Sequence, residues 1–140
     1  MKLKELPKEY NNINPKAKIH RTVSFYKNGI GIYIAGGVRI GKKSRIYHHV
    51  TIGKRHGSHF GVPKIGENTT INSFSCILGD VTIGNNVVVG AYSFILEDVP
   101  DNCLVVGRYP NTRIIPFEDL HKEIDEDKNN MIDYLNKSLK

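Results

Sequence analysis

An all-β fold, a parallel β-helix wound from hexapeptide turns, is predicted for this 140-residue chain by three observations. An isoleucine, valine or phenylalanine recurs every six residues, a small or β-branched residue follows it four positions later, and glycine or asparagine punctuates the steps between. The period decides the matter. A helix wants apolar side chains at spacings of three and four and an amphipathic strand wants them at two, so a sustained six fits neither. Short strands joined by tight corners do fit, and a short fixed repeat is the mark of a solenoid.

The opening stretch MKLKELPKEYNNINPK is polar and broken by Pro7 and Pro15, so residues 1–12 are read as a short extension. The repeat follows in three phased blocks: Ile13, Ile19 and Phe25; Ile34, Ile40, Ile46 and Ile52; and Ile65, Ile71, Ile77, Ile83, Val89 and Ile95. Four residues after these come companions such as Val23, Val38, Ser44, Val50, Thr69, Ser75, Val87 and Ser93. Both positions are expected to face a narrow interior. Three hexapeptides make one triangular coil, and neighbouring coils stack about 4.8 Å apart through ladder hydrogen bonds. Gly41, Gly53, Gly66, Gly84 and Gly90 follow the inward residue directly, with Gly37, Asn68, Asp80 and Asn86 two positions further on. All are residue types that tolerate left-handed backbone angles at corners. The break between Ile52 and Ile65 predicts a projecting, glycine-bearing loop over about 53–64, inside a β-helix domain of residues 13–115. In residues 116–140, Leu120, Ile124, Met131 and Leu135 fall at spacings of four, seven and four. That stripe predicts a C-terminal α-helix packed over the open edge of the stack, with an acidic, mobile tail as the alternative because DEDKNN interrupts it.

Composition narrows the function. No run approaches the ~18 apolar residues of a membrane span, so the chain is expected to be cytoplasmic and to lack such a span. Cys76 and Cys103 have no metal-ligand spacing around them, which argues against a disulfide framework or a zinc ribbon. Residues 118–140 hold seven acids against four lysines, leaving sixteen basic residues against seven acids in residues 1–117. A basic body suits a phosphate-rich small molecule. No recognised nucleic-acid motif accompanies it, so no nucleic-acid partner is expected.

Over roughly residues 13–115 the sequence resembles the hexapeptide-repeat acyltransferases with a left-handed β-helix, and within them the serine acetyltransferase-like branch. The pieces that carry the resemblance are INPKAKI, YHHVTIG, the looped insertion ending PKIGENTTI, CILGDVTIGNNVVVGAYSFIL and EDVPDNCLVVG. The resemblance alone supplies the handedness, since parallel crossovers are otherwise overwhelmingly right-handed. It implies a homotrimer that binds acetyl-CoA in grooves between subunits and moves the acetyl group to a hydroxyl or amine. Three departures accompany it. Serine acetyltransferases carry a long helical N-terminal domain, expected to be missing here because about a dozen residues precede the repeat. Their Asp-His pair corresponds to FYKNGIGIYI, which has Lys27 or Asn28 in place of the histidine. Their closing G-x-P-A-K-I reads GRYPNTRII.

Four of the six histidines lie between residues 46 and 66. Phe25, Ile46, Ile71 and Val89 should stack, because the gaps of 21, 25 and 18 residues are one coil plus insertions of three, seven and none. Lys27, His48, Ser73 and Ala91 then share one edge, with His48 one coil above the family's base. Attack of an alcohol on a thioester needs a base, and neutral imidazole is available near pH 7. His48 and the loop residues His56 and His59 are therefore candidate bases, the bland alternative being polar surface. Adjacent His48 and His49 are poorly built to chelate one ion, and no metal is expected. For the donor, the resemblance points to an edge of Ser73, Gly90 and Ala91 along which pantetheine lies close to the backbone. Lys64, Arg108 and Arg113 would meet its phosphates. The expected activity is acetyl-CoA-dependent O-acetyl transfer to a sugar hydroxyl, on a nucleotide-linked or lipid-linked intermediate of surface polysaccharide biosynthesis. The alternatives are a serine O-acetyltransferase of cysteine biosynthesis and a non-catalytic trimeric scaffold with a degenerate site.

Overall fold

The computed structural model describes residues 1–56 and 61–138. In the first coil β1 (Asn12–Ile13), β2 (Lys18–Ile19) and β3 (Ser24–Phe25) each last two residues before the chain turns. The second coil repeats them as β4 (Tyr33–Ile34), β5 (Arg39–Ile40) and β6 (Arg45–Ile46), and the third as β7 (Thr51–Gly53), β8 (Lys64–Ile65) and β9 (Thr70–Ile71). The fourth consists of β10 (Cys76–Leu78), β11 (Thr82–Ile83) and β12 (Val88–Val89), and β13 (Phe94–Ile95), Val99 and β14 (Cys103–Val106) close the stack. Corresponding strands pair in parallel to make three faces: a first of β1-β4-β7-β10-β13, a second of β2-β5-β8-β11 and a third of β3-β6-β9-β12-β14. The chain is a left-handed parallel β-helix.

The inward positions stack like on like. Ile46 lies over Phe25, Ile71 over Ile46 and Val89 over Ile71, and every repeat residue from Phe25 to Ile95 is buried. Full burial of one such side chain stabilises by roughly 1.5–3 kcal/mol. The companions four residues later also point inward, and four of them are polar: Ser44, Thr69, Ser75 and Ser93. Their hydroxyls are not wasted, because Ser44 donates to Gly66 O, Thr69 to Gly84 O, and Ser75 and Ser93 to Gly90 O at 2.6–2.8 Å. The hydroxyls of Ser44, Thr69 and Ser75 thus tie one coil to the next, while that of Ser93 closes its own corner.

The glycines divide into two groups that the sequence does not separate. Gly37, Asn68 and Asn86 have the expected left-handed φ, and Gly79 rather than Asp80 takes that role in its corner. Gly41, Gly53, Gly66, Gly84 and Gly90 are not left-handed at all. At Gly41 and Gly66 the requirement is close approach. A Cβ on Gly41 would sit 2.8 Å from the Gly66 backbone, and one on Gly66 would sit 2.6 Å from Gly84 O.

Both ends of the prism are closed. Short 3-10 turns at Leu3–Glu5 and Lys8–Tyr10 bring Leu6 under the first coil, where it joins the core. At the other end β15 (Arg113–Pro116) pairs antiparallel with β14, so a strand, not the expected helix, covers the open edge of the third face. A strand satisfies unpaired edge groups directly, which a helix cannot do. The helix α1 (Phe117–Ser138) then runs straight through DEDKNN, with Phe117 N donating to Asn102 O at 2.9 Å. Leu120 is half-buried, while the side chains of Ile124, Met131 and Leu135 lie outside what the structure describes. No described helix is long and apolar enough to cross a membrane.

Candidate active site

After β6 the chain turns from the third face to the first through Tyr47, His48, His49 and the buried Val50. Tyr47 stacks on Tyr26 of the coil below, with ring centroids 4.4 Å apart. His49 takes the left-handed corner angle, and Phe74 and Tyr92 take the same angle in the two coils above. Their rings form a ladder: His49 to Phe74 is 4.7 Å at 11°, and Phe74 to Tyr92 is 5.0 Å at 3°. Bulky residues in that region are strained by about 1–2 kcal/mol each, whereas a stacked aromatic pair returns about 0.5–1.5 kcal/mol. The two stacked pairs return only part of the strain of three such residues, and the ladder leaves a wall of exposed rings, Phe74 at 44% and Tyr92 at 66%.

His48 stands beside this wall, half-buried, its ring edge-on to Phe74 at 5.5 Å and to His49 at 5.6 Å. Its Nδ1 is buried and has no hydrogen-bond partner. An orphaned buried polar atom costs about 1–3 kcal/mol, and in native structures it calls for a specific cause such as a catalytic role. The His49 ring meets that of His48, and both pack on Phe74.

The edge column holds in part. Ser73 and Ala91 follow His48 upward, with Tyr92 N donating to Ser73 O at 3.0 Å. Lys27 and Asn28 do not lie beneath it, because the three-residue insertion is a 3-10 turn, Lys27–Gly29, at that corner. Counting back from the pairing of Tyr33 with Thr51 puts Ile30 under His48 and Gly31 under His49, and His49 N donates to Ile30 O at 2.8 Å. A Cβ on Gly31 would lie within 2.8 Å of the His49 ring, and Gly31 itself is left-handed, so glycine is needed there twice over.

The remaining candidates are dispersed. Gly90 is not an open slot for a ligand, since a Cβ there would meet Val106 Cγ1 at 2.7 Å. Arg108 pairs with Phe94 at the top of the first face, and Arg113 pairs with Val106 at the top of the third, so both stand at the corner above Tyr92. Lys64 is exposed on the second face, away from them in the same chain. His56 is exposed on the loop, and His59 lies outside the described residues. Cys76 and Cys103 are free, and burial pushes both thiols up, so neither is poised as a thiolate nucleophile. A cavity of about 480 Å³ under the first coil, lined by Leu6, Asn12 and Ala17 among others, does not include His48. Phe74 and Tyr92 are the site residues that sequence reasoning missed. Their signal was present: they fall three residues after Ile71 and Val89, the offset at which other corners carry Gly37, Asn68 and Asn86.

Residues 63–97 match the family model described as bacterial transferase hexapeptide (six repeats). WcaB of Escherichia coli (strain K12), provisionally named a colanic acid biosynthesis acetyltransferase, is 40% identical over 103 residues, covering 74% of this chain and 63% of that protein. Soybean serine acetyltransferase complexed with serine superposes with a TM-score of 0.66 at 35% identity, over 74% of this chain and 42% of that one. A serine acetyltransferase in complex with CoA gives 0.64 at 29%, over 74% and 41%. The chain thus spans less than two thirds of the length of these relatives. With the hexapeptide register, the triangular coils and these likenesses in agreement, the chain carries the bacterial transferase hexapeptide repeat and is similar to serine acetyltransferases and to WcaB.

Proposed function

We infer that this chain is an acetyl-CoA-dependent O-acetyltransferase acting on a sugar hydroxyl in surface polysaccharide biosynthesis, with His48 as the base. The observation that carries the reading is the orphaned Nδ1 of His48 beside an exposed aromatic wall. Acetyl-CoA, as donor substrate, supplies an activated acyl carbon. An imidazole nitrogen of His48 takes the proton of the acceptor hydroxyl as its oxygen bonds to that carbon. The carbon–sulfur bond then breaks and the departing thiolate is protonated. Phe74 and Tyr92 keep water from the base and offer apolar rims to the carbon faces of a pyranose. Free serine presents a carboxylate and an ammonium and wants charged partners. The column around His48 offers Ile30, Ser73, Ala91 and aromatic rings instead, which favours the sugar. The name carried by WcaB points the same way. The deciding assay is release of free CoA thiol with acetyl-CoA and a panel of nucleotide sugars or serine. Transfer to serine and to no sugar would overturn the acceptor assignment.

Two further results are expected. The corner is open in one chain and Lys64 lies on another face, so the site is completed by a neighbouring copy that brings its Lys64 toward Arg108 and Arg113. Sedimentation equilibrium should give a mass near three times the 15.8 kDa of one chain; a single-chain mass would exclude a shared site. If Arg108 and Arg113 hold the CoA phosphates, Arg108→Ala and Arg113→Ala should each weaken acetyl-CoA binding roughly five- to ten-fold and flatten its salt dependence. Calorimetry at two ionic strengths reads this, and unchanged affinity in both variants would move the phosphates elsewhere.

A further inference from the structure

Charge in this molecule is sorted along the helix axis. Residues 1–64 hold fourteen lysines and arginines against two acids, while residues 65–140 hold six against twelve. Because the coils stack in sequence order, the N-terminal end of the prism is strongly cationic and the opposite end anionic. On the second face the cations are in register. Lys18 pairs with Arg39 and Arg39 with Lys64, all three are exposed, and none has a described ion-pair partner. Like charges set directly opposite in a sheet destabilise it. Glu67 is the acid that lines the shallow groove beside them, with Lys18, His20, Arg39 and Lys42.

Coils about 4.8 Å apart put Lys18, Arg39 and Lys64 within about 10 Å of the N-terminal end, roughly one Debye length at physiological salt. The acidic end lies beyond it. An end-on approach therefore lets a surface feel the cations of three coils and little of the acids, whereas a side-on approach averages the two. The same end carries apolar side chains among its cations: Leu3 is 37% exposed and Tyr10 56%, and Leu3 lines a cavity with Lys2, Lys4 and Arg21. A bilayer interface takes up both cations and apolar side chains, while a nucleic-acid backbone takes only the cations.

We propose that the N-terminal end of the β-helix is a docking surface for an anionic lipid bilayer. The proposal is independent of the acetyl-transfer reading, since its test needs no acceptor. Docking end-on leaves the His48 corner, on the side of the prism, uncovered. If copies assemble about an axis parallel to the helix, their cationic ends face the same way and bind together.

Flotation of the full chain with vesicles rich in phosphatidylglycerol, against vesicles of phosphatidylcholine alone, tests it. Binding to the anionic vesicles only, weakening as salt rises, is expected. Each basic residue near such a surface contributes roughly a five-fold factor, so Lys18→Glu with Arg21→Glu should weaken binding by at least about 25-fold. The charge-matched control Lys122→Glu with Lys137→Glu, on α1, should leave it within about two-fold, because that helix springs from the far end of the stack at Phe117. Leu3→Ser should weaken binding without changing its salt slope. Equal binding to both vesicle types would overturn the proposal, as would equal losses in the two double variants with unchanged circular dichroism. Displacement of anionic vesicles by a short oligonucleotide at equal phosphate concentration would reassign the surface to nucleic acid.

Discussion

His48→Ala is expected to lower acetyl transfer by roughly 10²–10⁴-fold, the usual worth of general-base assistance, with acetyl-CoA affinity almost untouched. The melting temperature should hardly move. Truncation forfeits the edge contact with Phe74 at 5.5 Å, but it also removes the buried Nδ1 that has no partner, and the two terms are of similar size and opposite sign. His49→Ala is the informative neighbour. It removes a ring stacked on Phe74 at 4.7 Å, so it should cost about 0.5–1.5 kcal/mol of stability and little transfer. The two histidines would then separate cleanly, one in kcat and the other in thermal unfolding. If His48→Ala keeps most activity while His56→Ala or His59→Ala abolishes it, the base belongs to the loop and the corner is a structural joint. A wild-type protein that forms trimers and transfers acetyl to no acceptor would instead favour the scaffold.

The coil register was legible because it follows from counting alone. The gaps of 21, 25 and 18 residues predicted the stack of Phe25, Ile46, Ile71 and Val89, and the ladder pairs them so. Counting does not say where inside a gap the extra residues bulge, and that is why Lys27 was placed under His48 when Ile30 belongs there. The insertion goes where glycine lets the chain turn sharply, at Gly29 and Gly31, both left-handed. The aromatic wall was hidden for a related reason. Phe74 and Tyr92 sit at a backbone angle that propensity assigns to glycine or asparagine, and mutual stacking repays part of the strain. Residue type by itself gives no sign of a partner in the next coil. At the closing edge the apolar stripe of residues 120–135 marks the helix, while the strand Arg113–Pro116 that pairs with the third face carries no repeat to announce it.

Gly66→Ala should cost roughly 3 kcal/mol, near the upper range for overpacking, and lower the melting temperature by about 10 °C, although the new methyl group is small. The strain has nowhere to go. A Cβ at this position would lie 2.6 Å from Gly84 O and 2.7 Å from Gly84 C, and backbone atoms, unlike the tip of a side chain, move only if the coils separate. Separation would stretch the bond from Gly66 N to Ile83 O at 2.8 Å and the one from Thr69 Oγ1 to Gly84 O at 2.8 Å, both of which hold the third coil to the fourth. Gly53→Ala is the matched control. Gly53 also directly follows an inward isoleucine and is also not left-handed, yet the atoms nearest its Cβ are side-chain carbons of Tyr33 at 3.4 Å and Ala35 at 3.7 Å, ordinary contacts. Its substitution should change stability by less than about 1 kcal/mol. Thermal unfolding of the two variants therefore discriminates two reasons for the same residue. Equal losses would mean that backbone entropy, common to both sites, dominates; a large loss confined to Gly66 would mean that inter-coil spacing does, as the contact geometry requires.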